Sequence, residues 1–280
     1  MALPVDEILD LEKLDSNLFR SQHHYENFRK TLFGGQVLGQ ALKAAYETQE
    51  HALPHSFHAY FLRAGSSETP VIYDVENVRD GRSVSSRRVL ARQYGRPIVN
   101  LSASFHKQEQ GYEHQVPYPE HIPCPDELMD QRDQSHLGDK IFNQKSTFTP
   151  FDFLPIDQSL FSKGVIDPPQ GYFWLKAKDK LQDNSAISHV CSLAFASDMG
   201  LLATALLPHS ATIFDENLVV ASIDHAMYFH RTDFRVDEWM LCQTQSPWAG
   251  SARGFATAHI FNQKHQLIAT TFQEGLIRHI

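Results

Sequence analysis

Residues 81–105, GRSVSSRRVLARQYGRPIVNLSASF, lie over residues 250–274, GSARGFATAHIFNQKHQLIATTFQE, without a gap when the chain is shifted by 169 residues. The turn signal Tyr94-Gly95 falls on Gln263-Lys264, and Ser56-Phe57-His58-Ala59 corresponds to Ser222-Ile223-Asp224-His225-Ala226 with one residue inserted. Identity between the stretches is low. What repeats is a pattern of apolar positions and turns, the mark of a duplicated supersecondary unit. After a short helical start near residues 6–14, the first copy runs from FGGQVLGQALKAAYETQ, read as a helix with small residues along one face, into four β-rich runs. These are SFHAYFLRAG, PVIYDVENVRDG, SVSSRRVLARQYG and RPIVNLSASFHK, the last three separated by Asp80-Gly81 and Tyr94-Gly95-Arg96-Pro97. The second copy follows LAFASDMGLLATALL with VVASIDHAMYFHR, EWMLCQTQSPW, SARGFATAHIFNQ and HQLIATTFQEGLIR. The expectation is an α+β chain of two repeats, each an antiparallel β-sheet wrapped around a central α-helix whose small residues let it lie close against that sheet.

Residues 1–110 then form the N-terminal repeat and 151–280 the C-terminal repeat. Residues 111–150 are a linker rich in Pro, His and charge, with a short helix near Pro125–Arg132. Within LAFASDMGLLATALL, residues 193–207, eleven of fifteen side chains are apolar and the single charge is Asp198. An unpaired buried carboxylate is costly, so it shifts its pKa or finds partners. Two readings of Asp198 stand: Ser197 or Asp198 caps a helix beginning at Met199, or Asp198 is a working acid or base.

Several function classes are excluded. Net charge is −8 and the basic runs, such as SSRRVLARQYGR, are short, which argues against nucleic acid as a partner. Three cysteines without a C-x-x-C fit free thiols in a reducing compartment. The acidic start MALPVDEILDLEKLD lacks a signal-peptide layout, and no stretch approaches 18 consecutive apolar residues, so no membrane span and a cytoplasmic location are expected. His51, His55 and His58 are clustered, but no H-E-x-x-H or completing Cys or carboxylate accompanies them, so no metal is expected. GGQVLGQA carries Gln40-Ala41 where a P-loop needs Lys-Ser/Thr, and G-x-S-x-G is absent.

The stretches LFGGQVLGQAL, SFHAYFLRAG, RDGRSVSSRRVLARQ, FASDMGLL, ASIDHAMYFHR and TTFQEGLIR together resemble the acyl-CoA thioesterase II family of double-hotdog enzymes, in its order and spacing from near residue 15 onward. The resemblance implies a double hotdog fold, hydrolysis of fatty acyl-CoA to free acid and CoA by base-activated water, and no cofactor. It puts the catalytic Asp on Asp198, the hydroxyl on Ser222, where many bacterial members have Thr, and the amide on Gln273, all in the C-terminal repeat. It also implies a homo-oligomer, dimer or tetramer. Gly34, Gly35 and His58 are candidate substrate-binding residues, the glycines because they open a helix whose N–H groups can face a carbonyl. Plainer readings accompany each one. Ser222 can be a sheet hydroxyl, Gln273 strand-end polarity, His58 a packed strand histidine, and the glycines a close-packing device. Under the 169-residue shift Gln273 falls opposite Ser104, and the first-half helix has no carboxylate before Glu47, so one active site per chain is expected. The alternatives are a non-catalytic acyl-CoA-binding hotdog protein and a hotdog enoyl-CoA hydratase, the latter needing a paired Asp and His.

Overall fold

A computed structural model describes residues 3–25, 31–49, 52–134, 149–156 and 164–280. Residues 135–148 of the expected linker lie outside the described residues. The N-terminal repeat contains α1 (Val5–Ile8), β1 (Leu11–Asp15), β2 (Leu18–Ser21), α2 (Gly34–Tyr46), β3 (Leu53–Phe61), β4 (Ile72–Asp80), β5 (Val84–Gln93) and β6 (Arg96–His106). After α3 (Pro125–Gln134) come β7 (Phe151–Pro155), β8 (Gln170–Ala177), α4 (Ala186–Ala196) and a 3₁₀ helix over Leu201–His209. The chain ends with β9 (Leu218–Ser222), β10 (Asp224–Phe229), β11 (Met240–Gly250), β12 (Arg253–Phe261) and β13 (Leu267–His279). The four runs of the first repeat become β3 to β6, while the short strands β1, β2 and β7 carry too few alternating positions to be read from sequence, and the eight-residue β8 is a further strand beyond those expected.

The strands make one sheet in the order β1-β2-β4-β5-β6-β3-β10-β13-β12-β11-β8-β7, with β9 off this path on β13, and every pairing is antiparallel. The order β2-β4-β5-β6-β3 is mirrored by β8-β11-β12-β13-β10, so the duplication is visible in the topology as a double hotdog. The halves join where β3 pairs with β10. His225 lies opposite Ala59 and Met227 opposite Phe57, so exchanging the halves takes Phe57 onto His225 and Ala59 onto Met227.

The two central helices touch each other, which corrects the expected packing of the small residues against the sheet. A Cβ on Gly35 would stand 2.1 Å from the carbonyl oxygen of Phe195, and one on Gly39 2.9 Å from that of Cys191. Backbone meets backbone here, and only glycine permits it. On other faces of α2, buried Gln36 and Gln40 donate to the carbonyls of His23 and Ile8, tying the N-terminal segment to the helix. One apolar core runs through both repeats, from Val5 and Phe57 to Phe195 and Ala269. Ala186–His209 is apolar and long enough to cross a membrane, with mean hydropathy 1.7, but 83% of its most apolar window is buried inside the protein, as a core helix should be.

Three expectations are revised. The apolar helix of the second repeat is α4, which ends before Asp198. Ser197 is its C-cap, and no helix begins at Met199; the 3₁₀ helix starts after Gly200, whose φ of 81° suits glycine. VVASIDHAMYFHR is two strands that break at Ile223. Finally, β5 and β6 close across Gln93 and Arg96, whereas β12 and β13 close across Phe261 and Leu267. The longer second hairpin slips the alignment by one residue: Ala91 opposite Val99 matches Ile260 opposite Ala269. The counterpart of Gln273 is therefore buried Ala103.

Candidate functional site

The turn that ends α4 brings Asp198 to the N-terminus of α2. That helix begins after Phe33 with no side-chain cap, so its first N–H groups are free to serve something else. The Asp198 carboxylate accepts from the Gly35 N–H. The carboxylate thus caps a helix from a distant part of the chain. The approach needs Gly34 as well: a Cβ there would lie 2.7 Å from Asp198 Oδ2 and 2.8 Å from the Phe61 ring.

Two further groups converge on Asp198. Gln273, on β13 and 1% exposed, donates from Nε2 to Asp198 Oδ1 at 2.6 Å and to Ser222 Oγ at 2.9 Å. Ser222 Oγ in turn faces Asp198 Oδ1 at 3.5 Å, the outer limit of a hydrogen bond. The break at Ile223 sets this up. The Ile223 N–H donates to Glu274 O, its carbonyl accepts from Phe61, and both Ser222 and His225 turn inward although they are three positions apart. In an unbroken strand that odd spacing would put them on opposite faces.

Burial pushes the Asp198 carboxyl up from 3.8 to about 6, against hydrogen bonds from Gln273, Gly35 and Ser222 that favour the ionised form. Asp198 as a whole residue keeps partial exposure. A void of about 10 Å³ beside Ser197 and Met199 is lined by Phe173, Leu175, Cys242 and Ile260.

Asp198, Ser222, Gln273, Gly34 and Gly35 are therefore brought together. His58 is not among them: it is exposed on the outer face of β3, its ring edge-on to Tyr228 and its Nε2 3.2 Å from the Tyr228 hydroxyl. In the first repeat the opposite, C-terminal end of α2 meets Arg87, a buried guanidinium that donates to Thr48 and Asp80. Ser104 donates to or accepts from His55 at 2.8 Å and stands apart from any carboxylate network. A larger cavity of about 720 Å³, between Tyr118–Asp126 and Trp174 and Trp239, contains none of the converging groups. Sequence reasoning missed the Gly35 N–H as a partner of Asp198, because the two are brought together only by the contact of α2 with α4. Among the described residues no group of three or more His, Cys, Asp or Glu could hold a metal ion.

A carboxylate of raised pKa, a hydroxyl and an amide held around one partly open point can take a proton from water and aim the resulting nucleophile. Two family descriptions match the chain: "Acyl-CoA thioesterase N-terminal domain" over residues 23–106 and "Acyl-CoA thioesterase C-terminal domain" over residues 124–277. The chain is 38% identical to human acyl-coenzyme A thioesterase 8, over 98% of this chain and 88% of that protein. It is 38% identical to acyl-CoA thioesterase 2 of Haemophilus influenzae, over 97% and 96% respectively. The crystal structure of an acyl-CoA thioesterase II from Mycobacterium marinum superposes with a TM-score of 0.80 at 37% identity, covering 99% of this chain and 98% of that one.

Proposed function

The chain belongs to the acyl-CoA thioesterase family and hydrolyses acyl-CoA thioesters; from that premise we propose that Asp198 is the general base, that Ser222 and Gln273 position the attacking water, and that fatty acyl chains are the substrates. The observation that carries this reading is the convergence of Gln273, Ser222 and the Gly35 N–H on one carboxylate whose pKa burial raises to about 6. Ionised near neutral pH, Asp198 takes the proton of a water lying between it and Ser222. The hydroxide adds to the thioester carbonyl, the tetrahedral intermediate collapses, the C–S bond breaks, and the proton held by Asp198 leaves with the CoA sulfur, giving CoA and the free acid and restoring the carboxylate. The N-terminus of α2, which has no side-chain cap and whose Gly35 N–H already serves Asp198, favours the negative charge that grows on the carbonyl oxygen.

Direct attack by Ser222 is disfavoured on two grounds. Its oxygen already accepts from Gln273, and its contact with Asp198 is long. The nearest imidazole, His225, is fully buried and bonded elsewhere. A hydratase pair is also missing: Asp224 accepts from the Glu274 N–H at 2.8 Å while His225 faces the core.

Asp198→Asn is expected to lower kcat for palmitoyl-CoA, read as free thiol release, by roughly two to four orders of magnitude with KM little changed. A variant that keeps more than about a tenth of wild-type kcat removes Asp198 from the mechanism. Single-turnover rapid-quench mass spectrometry is expected to show no acyl adduct on the protein; an adduct at Ser222 formed and consumed at the turnover rate would replace water attack with a covalent route. Assembly as a dimer or tetramer belongs to the same proposal. It is supported by exposed Tyr60, Tyr228 and Trp248 along the outer sheet face, with the Phe255 and Phe272 rings stacked among them. Light scattering that returns the mass of a single chain would remove that part. A cytoplasmic location, supported by the free thiols of Cys124, Cys191 and Cys242, completes it, and cell fractionation tests it.

A further inference from the structure

Behind the converging groups, one imidazole joins the segment that carries Asp198 to the strand that carries Gln273. His225 is 0% exposed, and its Nε2 lies 2.9 Å from Ser197 Oγ and 2.9 Å from Thr271 Oγ1. Ser197 immediately precedes Asp198. Thr271 stands two residues before Gln273, on the same inward face of β13. Both hydroxyls spend their hydrogens on backbone carbonyls, Ser197 on Ala194 at 2.9 Å and Thr271 on Ala226 at 3.0 Å. The hydrogen between them must then come from the ring, which makes Nε2–H a donor shared by two oxygens.

That tautomer leaves Nδ1 as a bare lone pair, buried and without a partner. Such a group costs about 1–3 kcal/mol relative to one that is satisfied. The equivalent position of the first repeat holds Phe57, and the two rings lie nearly flat on one another, 5.9 Å apart and 17° from parallel. The fold therefore accepts an apolar ring at this place, and packing alone does not require an imidazole. The groups packed against His225 are Phe57 from β3, Ser197 from the end of α4 and Thr271 from β13, all uncharged. Burial pushes its pKa down to about 3, so it stays neutral at working pH and is no base.

We infer that His225 is a positioning residue for thioester hydrolysis: its shared Nε2–H ties the turn bearing Asp198 to the strand bearing Gln273 and so sets the distance between base and amide. The inference rests on Asp198 being the base. It does not make His225 catalytic, because the ring touches no reacting atom.

His225→Phe copies the first repeat and removes the tie without a change of ring packing. The expected variant is folded, keeps KM within about two-fold and loses at least about ten-fold in kcat. Its acid limb also moves to higher pH, because a looser turn weakens the Gln273 bond that opposes the desolvation of Asp198. The groups facing Asp198 are Gln273 from β13, Ser222 from β9, Gly34 and Gly35 from α2 and Phe61 from β3. All are uncharged, so the limb reports that geometry. Thr271→Val, nearly isosteric, leaves His225 in place and removes one of its two acceptors; a smaller loss in the same direction is expected. The double variant should be no worse than His225→Phe alone, as for two members of one link. Wild-type kcat with an unmoved limb in His225→Phe, or a raised KM at unchanged kcat, overturns the inference. If His225→Phe does not fold, wild-type kcat and limb in Thr271→Val overturn it instead. An active Asp198→Asn would sink the assignment of the base. An inactive Asp198→Asn beside a wild-type-like His225→Phe sinks only the role given to His225.

Discussion

Asp198 illustrates how one side chain can serve two readings that look exclusive on paper. It does satisfy a helix terminus, but that of α2, more than 150 residues away in the chain, and burial raises its pKa to about 6 in spite of that contact. Desolvation exceeds the combined pull of three hydrogen bonds, so the carboxylate is uncomfortable when ionised and is a better base for it. Two outcomes follow at this scale. The ratio kcat/KM should fall about ten-fold for each pH unit below about 6, as Asp198 takes up its proton. Stability moves the other way. A carboxyl with a pKa of 3.8 unfolded and about 6 folded holds its proton more tightly in the native state, so its contribution is fully present below pH 3.8 and is lost as pH rises through 6. At pH 8 Asp198→Asn is therefore expected to unfold at a temperature several degrees higher than the wild type, for a gain of about 3 kcal/mol. The gap should close near pH 4, and calorimetry at the two pH values checks it. A gap independent of pH would mean that titration of Asp198 is not its cause. At Ser222 the role is to donate and accept at a fixed place, so Ser222→Thr should stay active while Ser222→Ala is impaired in the thiol-release assay.

Among elements, the contact of α2 with α4 decides whether a site exists. Gly34 and Gly35 are adjacent, yet their substitution is expected to fail differently. At Gly35 a methyl would press on the Phe195 carbonyl, which is backbone and cannot rotate away, so Gly35→Ala should destabilise the whole fold by several kcal/mol, about 3. At Gly34 it meets the Asp198 carboxylate and the Phe61 ring, both side chains that can swing aside. Gly34→Ala should therefore fold with a modest loss of stability and lose most of its kcat. Melting curves alongside kinetics separate the two, and equal loss of stability in both variants would show the helix contact to be differently made. The 3₁₀ helix packs in the same manner: a Cβ on Gly275 would lie 2.3 Å from Leu202, and one on Gly254 2.7 Å from Ala205. Strands β12 and β13 carry glycine where this segment rests on them, and the turn at Asp198 is held from both sides.

At the level of the whole molecule, the edge-to-edge pairing by which two hotdog sheets would associate takes place inside the chain, between β3 and β10. The core is continuous across that seam, and Phe57, Leu38, Phe195 and Met227 belong to one cluster. Neither repeat is then expected to fold alone. Residues 1–110 and 151–280 expressed separately should give no cooperative unfolding transition, whereas the intact chain should melt in a single one. Cooperative melting of either fragment would show that the seam is an interface between independent domains. The duplication also leaves the repeats chemically unequal. The place of Gln273 is taken by Ala103 in the first, and buried Arg87 occupies the space beside Thr48 at the end of α2.

What the sequence by itself determined was the pattern: two copies of a helix and four strands, the turns between them, and a lone carboxylate in an apolar run. Each of these is encoded within a few residues, by periodicity, by Gly and Asn or Asp at turns, or by one charge among neighbours of the wrong kind. Of the three candidate groups, Asp198 was legible as a lone carboxylate in an apolar run, while Ser222 and Gln273 were legible only through the resemblance of their stretches to the thioesterase family. What only the tertiary structure decided was everything that joins distant segments: glycines that face a second helix and not the sheet, a strand broken at Ile223 so that Ser222 and His225 share a face, and a hairpin longer by enough to put Ala103 and not Ser104 opposite Gln273. His58 shows the limit from the other side, for its neighbours Phe57 and Ala59 are buried and alternation alone turns it to solvent. The physical reason is common to all of these. Local sequence specifies dihedral preference and which face is apolar, but the choice of partner depends on which backbones can approach, and that depends on residues far apart in the chain.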